Sequence, residues 1–270
     1  MLYVATVHHR SPAWIEIQTR HLREHVSAPM QIWTSLEGID PAHGRHFDRV
    51  LEQRGSHAGK LNHMAFEISR VAEDDDLIMF LDGDAFPIAD PMPLIEEALA
   101  GAELLAVRRA ENVEEPQPHP CFCVTTVGLW RRLPGDWTAG PTWPGARGAP
   151  TTDVGGNLLR RLEATGTRWA ELLRSNRRDL DPLYFAVYGD VVYHHGAGFR
   201  VGELSPAHRE HAPKPLPPAR IAPLRSLRRL VNGLRWRRWE LATQRRQVRL
   251  SEQMYARIRA GGRDWLEELI

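Results

Sequence analysis

Two aspartates separated by a glycine follow an uninterrupted apolar stretch, in the sequence LIMFLDGDAFPI. The apolar residues 77–81 are typical of a strand buried on both faces of a parallel sheet, so Asp82 and Asp84 fall where such strands border a ligand crevice. Two carboxylates this close repel each other unless a cation lies between them. Their oxygens are suitable ligands for Mg(II) or Mn(II), and such ions normally also bind the phosphates of a substrate. Gly83 between them lets a ligand approach the backbone. A polar turn without a ligand is the alternative, because Asp and Gly are common turn residues.

The segments that must position this motif alternate between two patterns. Short β-rich runs and stretches with apolar residues at helical spacing follow one another along the chain: 2–8, 15–26, 31–35, 57–72, 77–81 and 103–108. Such alternation predicts βαβ units and an α/β fold with a mostly parallel sheet flanked by helices.

Composition narrows the class of protein. The 270 residues are 42% hydrophobic and 26% charged, with a net charge of +1, which supports a sizeable core and excludes disorder of the whole chain. No run approaches the ~18 apolar residues of a membrane span, and the first residues lack the features of a signal peptide. Two cysteines are too few for a disulfide framework, so we expect a cytoplasmic location.

Positive charge is concentrated towards the C-terminal end. Residues 220–259 contain twelve arginines and two glutamates, whereas the preceding chain is acidic. Six prolines lie within 205–223, so we predict a catalytic domain over 1–204, a linker over 205–223 and a basic helical extension over 224–270. Leucines and tryptophans among the arginines favour a helix that binds an anionic membrane surface or packs onto the acidic body; nucleic acid is not an expected partner.

In the order of its motifs, the chain resembles the nucleotide-sugar-dependent glycosyltransferases of the GT-A fold, over about residues 1–200. This resemblance implies a Rossmann-like sheet whose first strand leads into a nucleotide pocket. It also implies that the Asp-x-Asp motif binds a divalent ion and the sugar nucleotide. Asp84 would then ligate the metal, and Asp82 would contact the metal or the ribose.

A late histidine often completes the metal site in that superfamily. The sequence VVYHHGAGFR offers His194 and His195, and only one of them can reach the site because adjacent strand residues point to opposite faces. The resemblance favours His194, because its His-x-Gly spacing suits that superfamily. Arg200, just beyond, is a candidate to neutralise the diphosphate.

Further candidate donor contacts precede the metal motif. Lys60 and Asn62 fall at the start of the predicted helix 57–72, and helix N-termini favour anions. Many GT-A enzymes carry Lys or Asn at this place near the nucleotide. His8, at the end of the first strand, is a candidate for the pocket of the nucleotide base. For each of these residues the alternative is a purely structural role.

Asp153 is the candidate catalytic base. It is the first acidic residue after the Pro- and Gly-rich stretch 134–150, and it begins the predicted helix 153–166. The resemblance implies that an acidic residue after a Gly-containing loop deprotonates the acceptor in inverting members, and Gly155 and Gly156 are expected to leave room for that acceptor. A helix cap is the alternative role for Asp153.

The motifs and the resemblance together imply a metal-dependent, inverting glycosyltransferase of the hexosyltransferase kind. The donor would be a nucleoside-diphosphate sugar, with UDP favoured by the resemblance, and the acceptor a hydroxyl of a glycan, lipid or small molecule. A nucleotidyltransferase is one alternative, although VHHRSPAW lacks the basic Gly-rich phosphate loop expected after its first strand. The other alternative is a non-enzymatic protein that binds a membrane or nucleic acid through its basic tail.

Overall fold

The chain divides into two units by its internal contacts, the first built from residues 1–176, 186–194 and 270, and the second from 177–185 and 195–269. A computed structural model describes residues 1–111, 115–144, 150–176, 185–196, 212–217, 221–262 and 264–270. Arg200 lies outside the described residues. The domain boundaries predicted from the sequence remain predictions.

Strands and helices alternate along the first unit. Its strands are β1 (Leu2–His9), β2 (Met30–Glu37), β3 (Arg49–Val50), β4 (Leu77–Asp82), β5 (Ala85–Pro87), β6 (Leu104–Val107), β7 (His119–Thr126), β8 (Trp143–Pro144), β9 (Pro150–Thr151), β10 (Trp169–Leu172), β11 (Ala186–Tyr188) and β12 (Val192–His194). Its helices are α1 (Ile15–His25), α2 (His57–Ser69), α3 (Met92–Gly101), α4 (Val127–Arg132) and α5 (Gly156–Thr165), with a 3₁₀ helix at Pro41–His46.

Seven strands form the central sheet in the order β10-β6-β7-β4-β1-β2-β3. Six of them run in the same direction, and β7 is antiparallel to its neighbours β4 and β6. The predicted architecture, a mostly parallel α/β sheet flanked by helices with a helical C-terminal extension, is therefore confirmed.

The two faces of this sheet carry separate hydrophobic clusters. Tyr3, Ala5 and Val7 of β1 pack with side chains of α2, α4 and α5 on one face. Leu2 and Val4 pack with α1, α3 and a small second sheet on the other face. A strand buried on both faces is typical of the centre of a parallel sheet, which explains why β1 and β4 are nearly continuous apolar runs.

The small second sheet brings the late histidine pair to the metal motif. Its strands are ordered β11-β12-β5, all antiparallel. β11 and β12 form a hairpin whose turn residues Gly189 and Asp190 both have positive φ, 55° and 59°, as a tight hairpin turn requires. Because β12 also pairs with β5, the residues that follow the Asp-x-Asp motif are held beside the end of β12.

The second unit contains the long helix α6 (Ala222–Ala260) and the short helix α7 (Asp264–Glu267). Gly261, with φ of 80°, ends α6. In this unit Nε2 of the buried His195 lies 2.7 Å from the hydroxyl of Ser251. Within the described part of the chain, every helix is too short or too polar to span a bilayer.

Candidate functional site

The carboxyl ends of the parallel strands meet at one edge of the sheet, and polar side chains gather there. In the register between β1 and β4, Val7 pairs with Asp82, so the two strands end close together. β2 ends at Glu37, which pairs with His9 of β1. Because β7 runs in the opposite direction, it begins at this edge, with His119. Four strands therefore contribute acidic or imidazole groups to the same edge.

Asp82, Asp84 and His194 form a cluster in which the potential metal-binding atoms all lie within 4.8 Å of one another. The pairing of β12 with β5 brings them together, because His194 pairs with Ala85, the residue after Asp84. Nε2 of His194 lies 3.7 Å from Oδ2 of Asp82 and 3.4 Å from Oδ1 of Asp84. The Asp-x-Asp motif and the late histidine predicted from the sequence are thus adjacent.

A divalent ion fits this cluster by the type and spacing of its donor atoms. Mg(II) binds oxygen at about 2.1 Å in octahedral geometry, so neighbouring ligand atoms lie about 3 Å apart and opposite ones about 4 Å apart. The separations of 3.4 and 3.7 Å fall between these values. The three side chains are only 8–17% exposed. Their carboxylates have therefore lost most of their hydration and need a positive partner.

Sequence reasoning missed two further histidines that lie against Asp82. Nε2 of His57, the first residue of α2, is 2.9 Å from Oδ1 of Asp82. Nδ1 of His119, the first residue of β7, is 3.9 Å from Oδ2 of the same carboxylate. Both are first residues of elements that begin at this edge of the sheet, and that position is the signal by which they could have been found.

The histidines differ in the charge that their surroundings favour. Although burial disfavours the charged ring, contacts with Cys121 and Asp84 raise the pKa of His194 well above its ordinary value. Burial also opposes charge on His57, but its hydrogen bond with Asp82 raises the pKa of that imidazole. Burial, assisted by neighbouring cations, holds the pKa of His119 well below its ordinary value. A protonated His194 and a metal ion are therefore alternative ways to neutralise the two carboxylates.

The turn that carries the aspartates is held by a buried glutamine, Gln18 of α1. Its Nε2 donates hydrogen bonds of 2.7 Å to the backbone carbonyls of Asp82 and Ala85. Its Oε1 accepts from the hydroxyl of Thr6 at 3.0 Å and lies 3.1 Å from Nε2 of His8. Since an amide oxygen only accepts, Nε2 of His8 must be the donor. These four bonds use the full capacity of the Gln18 amide, so it fixes the turn to both β1 and α1.

His8 and Gly83 pack against each other at the end of β1. His8 is 3% exposed, and burial lowers its pKa to about 4, so its ring is neutral near pH 7. A side chain at Gly83 would place its Cβ 2.5 Å from the carbonyl oxygen of Val7 and 2.8 Å from Nδ1 of His8. Only glycine fits at this position, because Val7 and His8 at the end of β1 leave no space for a side chain. Contact of either residue with a donor remains a prediction.

Lys60 and Asn62 are both tied to other parts of the chain. Lys60 is 2% exposed, and its ammonium group pairs with Glu37 at the end of β2. This ion pair holds the pKa of Glu37 below its ordinary value. Asn62 donates to Oδ1 of Asp136 and accepts from the backbone N–H of Trp137, both at 2.9 Å. These contacts account for both side chains structurally, and their predicted contact with a nucleotide is a proposal.

The side chain of Asp153 pairs with Arg109, and Asp153 lies before the helix α5 and not within it. Its Oδ2 lies 2.8 Å from Nη2 of Arg109, and Nε of Arg109 donates to Glu115 at 2.8 Å. Although burial disfavours its charge, the two carboxylates raise the pKa of Arg109, so it stays a cation. The predicted helix start at Asp153 is wrong. α5 begins at Gly156, with Gly155 in a left-handed conformation (φ 93°) before it.

Backbone atoms occupy the space beside Gly155 and Gly156, the two glycines at the start of α5. A Cβ at Gly155 would lie 2.1 Å from the carbonyl oxygen of Pro118, and one at Gly156 would lie 2.6 Å from the amide nitrogen of Gly140. The expectation that these glycines leave room for an acceptor is therefore wrong, because backbone atoms already occupy the space that a side chain would take. They let the loop that carries Gly140 and the segment before β7 close onto the start of α5.

No protein-family model and no curated protein sequence matches this chain. Among solved structures, it is similar to the mannosyltransferase PcManGT from Pyrobaculum calidifontis in complex with GDP-Man and Mn2+ (14% identity, TM-score 0.46, covering 66% of this chain and 57% of that one). It is also similar to TarS from S. aureus (11% identity, TM-score 0.38, covering 51% and 30%). A third similar structure is the galactosyltransferase LgtC with donor and acceptor sugar analogs (13% identity, TM-score 0.34, covering 48% and 59%). This chain thus spans less than two thirds of each of these proteins.

Proposed function

We propose that this chain is a metal-dependent, inverting glycosyltransferase that moves a sugar from a nucleoside diphosphate, UDP by preference, to an acceptor hydroxyl. The observation that carries the proposal is the convergence of Asp82, Asp84 and His194 at the carboxyl edge of a parallel sheet. Two carboxylates and an imidazole in this position would hold Mn(II) or Mg(II) together with a diphosphate. Such an ion, when bound, stabilises the charge on the departing diphosphate.

The proton chemistry is assigned to Asp153. As the acceptor oxygen bonds to the anomeric carbon, the bond from that carbon to the diphosphate oxygen breaks. The nucleoside diphosphate leaves with the electron pair, and the hydroxyl proton passes to the carboxylate of Asp153. This side chain is 41% exposed, so an acceptor can reach it, and Arg109 fixes its orientation through Oδ2.

Donor binding is assigned to the start of α2 and the end of β1. A helix N-terminus attracts anions, and His57 at the first position of α2 already contacts Asp82. Lys60 adds a cation one turn further along the helix, beside Glu37. His8, Gly83, Asn62 and Arg200 are the remaining proposed donor contacts.

We also propose that α6 binds an anionic membrane surface. Four of its leucines are 45–60% exposed and share one stripe of the helix: Leu227, Leu230, Leu234 and Leu241. Arginines make up most of its charged residues. A helix with exposed leucines among arginines is suited to lie at the interface of an anionic bilayer. This placement would bring the enzyme to a lipid or glycolipid acceptor.

A thermal-unfolding screen of UDP, GDP and CDP and of the matching triphosphates, with and without Mn(II), tests the proposal. A ligand that binds only the folded chain raises the unfolding temperature, so one diphosphate should stabilise the protein and should need the metal to do so. Stronger stabilisation by a nucleoside triphosphate than by any diphosphate would favour a nucleotidyltransferase. No effect of any nucleotide would favour a non-enzymatic binding protein.

A further inference from the structure

A second group of metal-binding side chains lies on one face of α1. His21, Glu24 and His25 each offer one ligand atom, and these atoms all lie within 4.8 Å of one another. This cluster shares no residue with Asp82, Asp84 and His194, the other such cluster among the described residues. We propose that His21, Glu24 and His25 form a second metal site, for a transition ion of the Zn(II) type. The proposal does not depend on the proposed glycosyltransferase activity.

Helix geometry explains why these three residues converge. Residues three and four positions apart lie on the same face of a helix, one turn above the other. Two histidines four positions apart on one helix can therefore bind a single ion, as in zinc sites built on one helix. Glu24 lies three positions after His21 and supplies a carboxylate at the same turn as His25.

His21 is prepared for this role by its hydrogen bond. Its Nδ1 lies 3.1 Å from the carbonyl oxygen of Pro87, and a carbonyl only accepts, so Nδ1 carries the proton. Nε2 is then left with its lone pair. A backbone carbonyl that holds the other ring nitrogen is the usual support of a metal-binding histidine. The ring also packs on Phe86 at a centroid distance of 4.4 Å, which fixes its orientation.

The protonation state of His21 also suits metal binding. Burial is the main cause that lowers its pKa to about 4, so the ring is neutral near pH 7. A metal ion therefore displaces no proton from this ring at neutral pH.

The spacing of the two rings matches a shared tetrahedral ion. With a Zn–N bond of about 2.1 Å, two imidazoles on one tetrahedral Zn(II) have ring centroids about 5 Å apart. The centroids of His21 and His25 are 5.4 Å apart. His25 is half-buried and Glu24 is exposed, so small side-chain rotations can bring their donor atoms to bonding distance.

The donor set determines which ions this site would select. Two imidazoles and one carboxylate suit Zn(II), Ni(II) or Cu(II), whereas Mg(II) prefers a set of oxygens. Arg20 and Arg23 flank the cluster, and their positive charges oppose the binding of a cation. The guanidinium of Arg23 donates to the carbonyl of His46 at 2.7 Å, so it is held at that carbonyl. Three protein ligands leave a fourth tetrahedral position for water or a further ligand.

Zinc titration of the full chain by calorimetry tests this site, with Mg(II) in excess to occupy oxygen-rich sites. His25→Ala should remove one zinc equivalent or weaken it at least about tenfold, since even the loss of an outer partner of a metal ligand costs about that much. Glu24→Gln should weaken the same equivalent. Co(II) should give the intense visible absorption of a tetrahedral ion in the wild type and lose it in His25→Ala.

His43→Ala is the matched control. His43 is a half-buried histidine near a second histidine, His46, with ring centroids 6.3 Å apart, but it belongs to no three-residue metal cluster among the described residues. Its variant should bind zinc as the wild type does. An unchanged isotherm for His25→Ala would overturn the proposal. Equal losses in His25→Ala and His43→Ala would also overturn it, because they would indicate general binding to surface histidines.

Discussion

The two ends of the proposed active site are built in different ways. At the metal end, Asp82 ends a central strand, and the pairing of β12 with β5 fixes His194 beside Asp84. These side chains are mostly buried, and Gln18 holds the turn that carries the aspartates through hydrogen bonds to the carbonyls of Asp82 and Ala85. At the other end, Asp153 follows the short strand β9, precedes α5 by three residues and is oriented by Arg109.

The two ends therefore differ in what fixes the positions of their side chains. The metal end is set by the backbone register of the paired strands and by the hydrogen bonds of Gln18 to the turn. At the Asp153 end, a 41% exposed carboxylate is held by its ion pair with Arg109 and by a 2.8 Å hydrogen bond from the backbone N–H of Val154. Substitutions at the metal end should therefore affect donor binding, while substitutions at the Asp153 end should affect turnover with little change in donor binding.

The largest expected effect is on turnover in Asp153→Asn. Loss of a general base costs about 100-fold to 10,000-fold in rate, so this variant should lose at least about two decades of kcat. It should bind Mn(II) and the diphosphate as the wild type does, because Asp153 is not in the metal cluster. Steady-state sugar transfer and calorimetry on the same preparation measure the two quantities.

The configuration of the product provides an independent check of the same role. An α-linked donor should give a β-glycoside, which the coupling of the anomeric proton reports by NMR. Retention of configuration would contradict the inverting mechanism even if Asp153→Asn were inactive. Near-normal turnover in the variant would leave Asp153 as the structural partner of Arg109.

A smaller effect is expected for Gln18→Leu, which tests how the metal end is held. The substitution leaves the carbonyls of Asp82 and Ala85 without their donor, and each unsatisfied buried group costs about 1–3 kcal/mol. We expect a lower free energy of unfolding in urea and a weaker Mn(II)-dependent affinity for the diphosphate.

Thr19→Val is the matched control for Gln18→Leu. Thr19 is a buried polar residue of the same helix, but its hydroxyl donates to the carbonyls of Ile15 and Glu16 within α1. Its loss should lower stability without a specific loss of metal-dependent binding. If Gln18→Leu bound the nucleotide as tightly as Thr19→Val, the turn would not depend on Gln18 for its function.

The same contrast explains what could be predicted from the sequence. The apolar run before Asp82 and the alternation of patterns identify a central strand and an α/β fold, because burial on both faces leaves a clear sequence signature. The start of α5 could not be predicted, because Asp153 is an equally good helix cap and arginine partner. That choice depends on Arg109, which is distant in sequence and follows β6.

Other parts of the site depend on tertiary contacts that leave weak local signals. Gln18 occupies an apolar position in the helical pattern between Ile15 and Leu22. A polar residue at a position that the pattern buries is the one local sign of its structural role. His57 and His119 stand at the first positions of their elements, and only the sheet topology brings them to Asp82. Residue type alone could not distinguish them from surface histidines.

The helical extension is expected to affect sugar transfer least, because its proposed role is at a membrane surface and not at either end of the site. Removal of residues 224–270 should reduce binding to vesicles that contain anionic lipid, since each arginine near such a surface contributes about 1 kcal/mol, less at high salt. Sedimentation with anionic and neutral vesicles measures this binding. Absence of vesicle binding by the full-length chain would contradict the membrane role of α6.

Calorimetric titration of a nucleoside diphosphate in the presence of Mn(II), on wild type and Asp84→Asn, tests the central claim most directly. Asp84→Asn removes one carboxylate charge from the cluster, so the Mn(II)-dependent affinity should fall while the fold is retained. Asp75→Asn, at an exposed aspartate in the turn before β4, is the control and should bind as the wild type does. Equal affinities in wild type and Asp84→Asn would contradict the assignment of Asp82, Asp84 and His194 as the metal site.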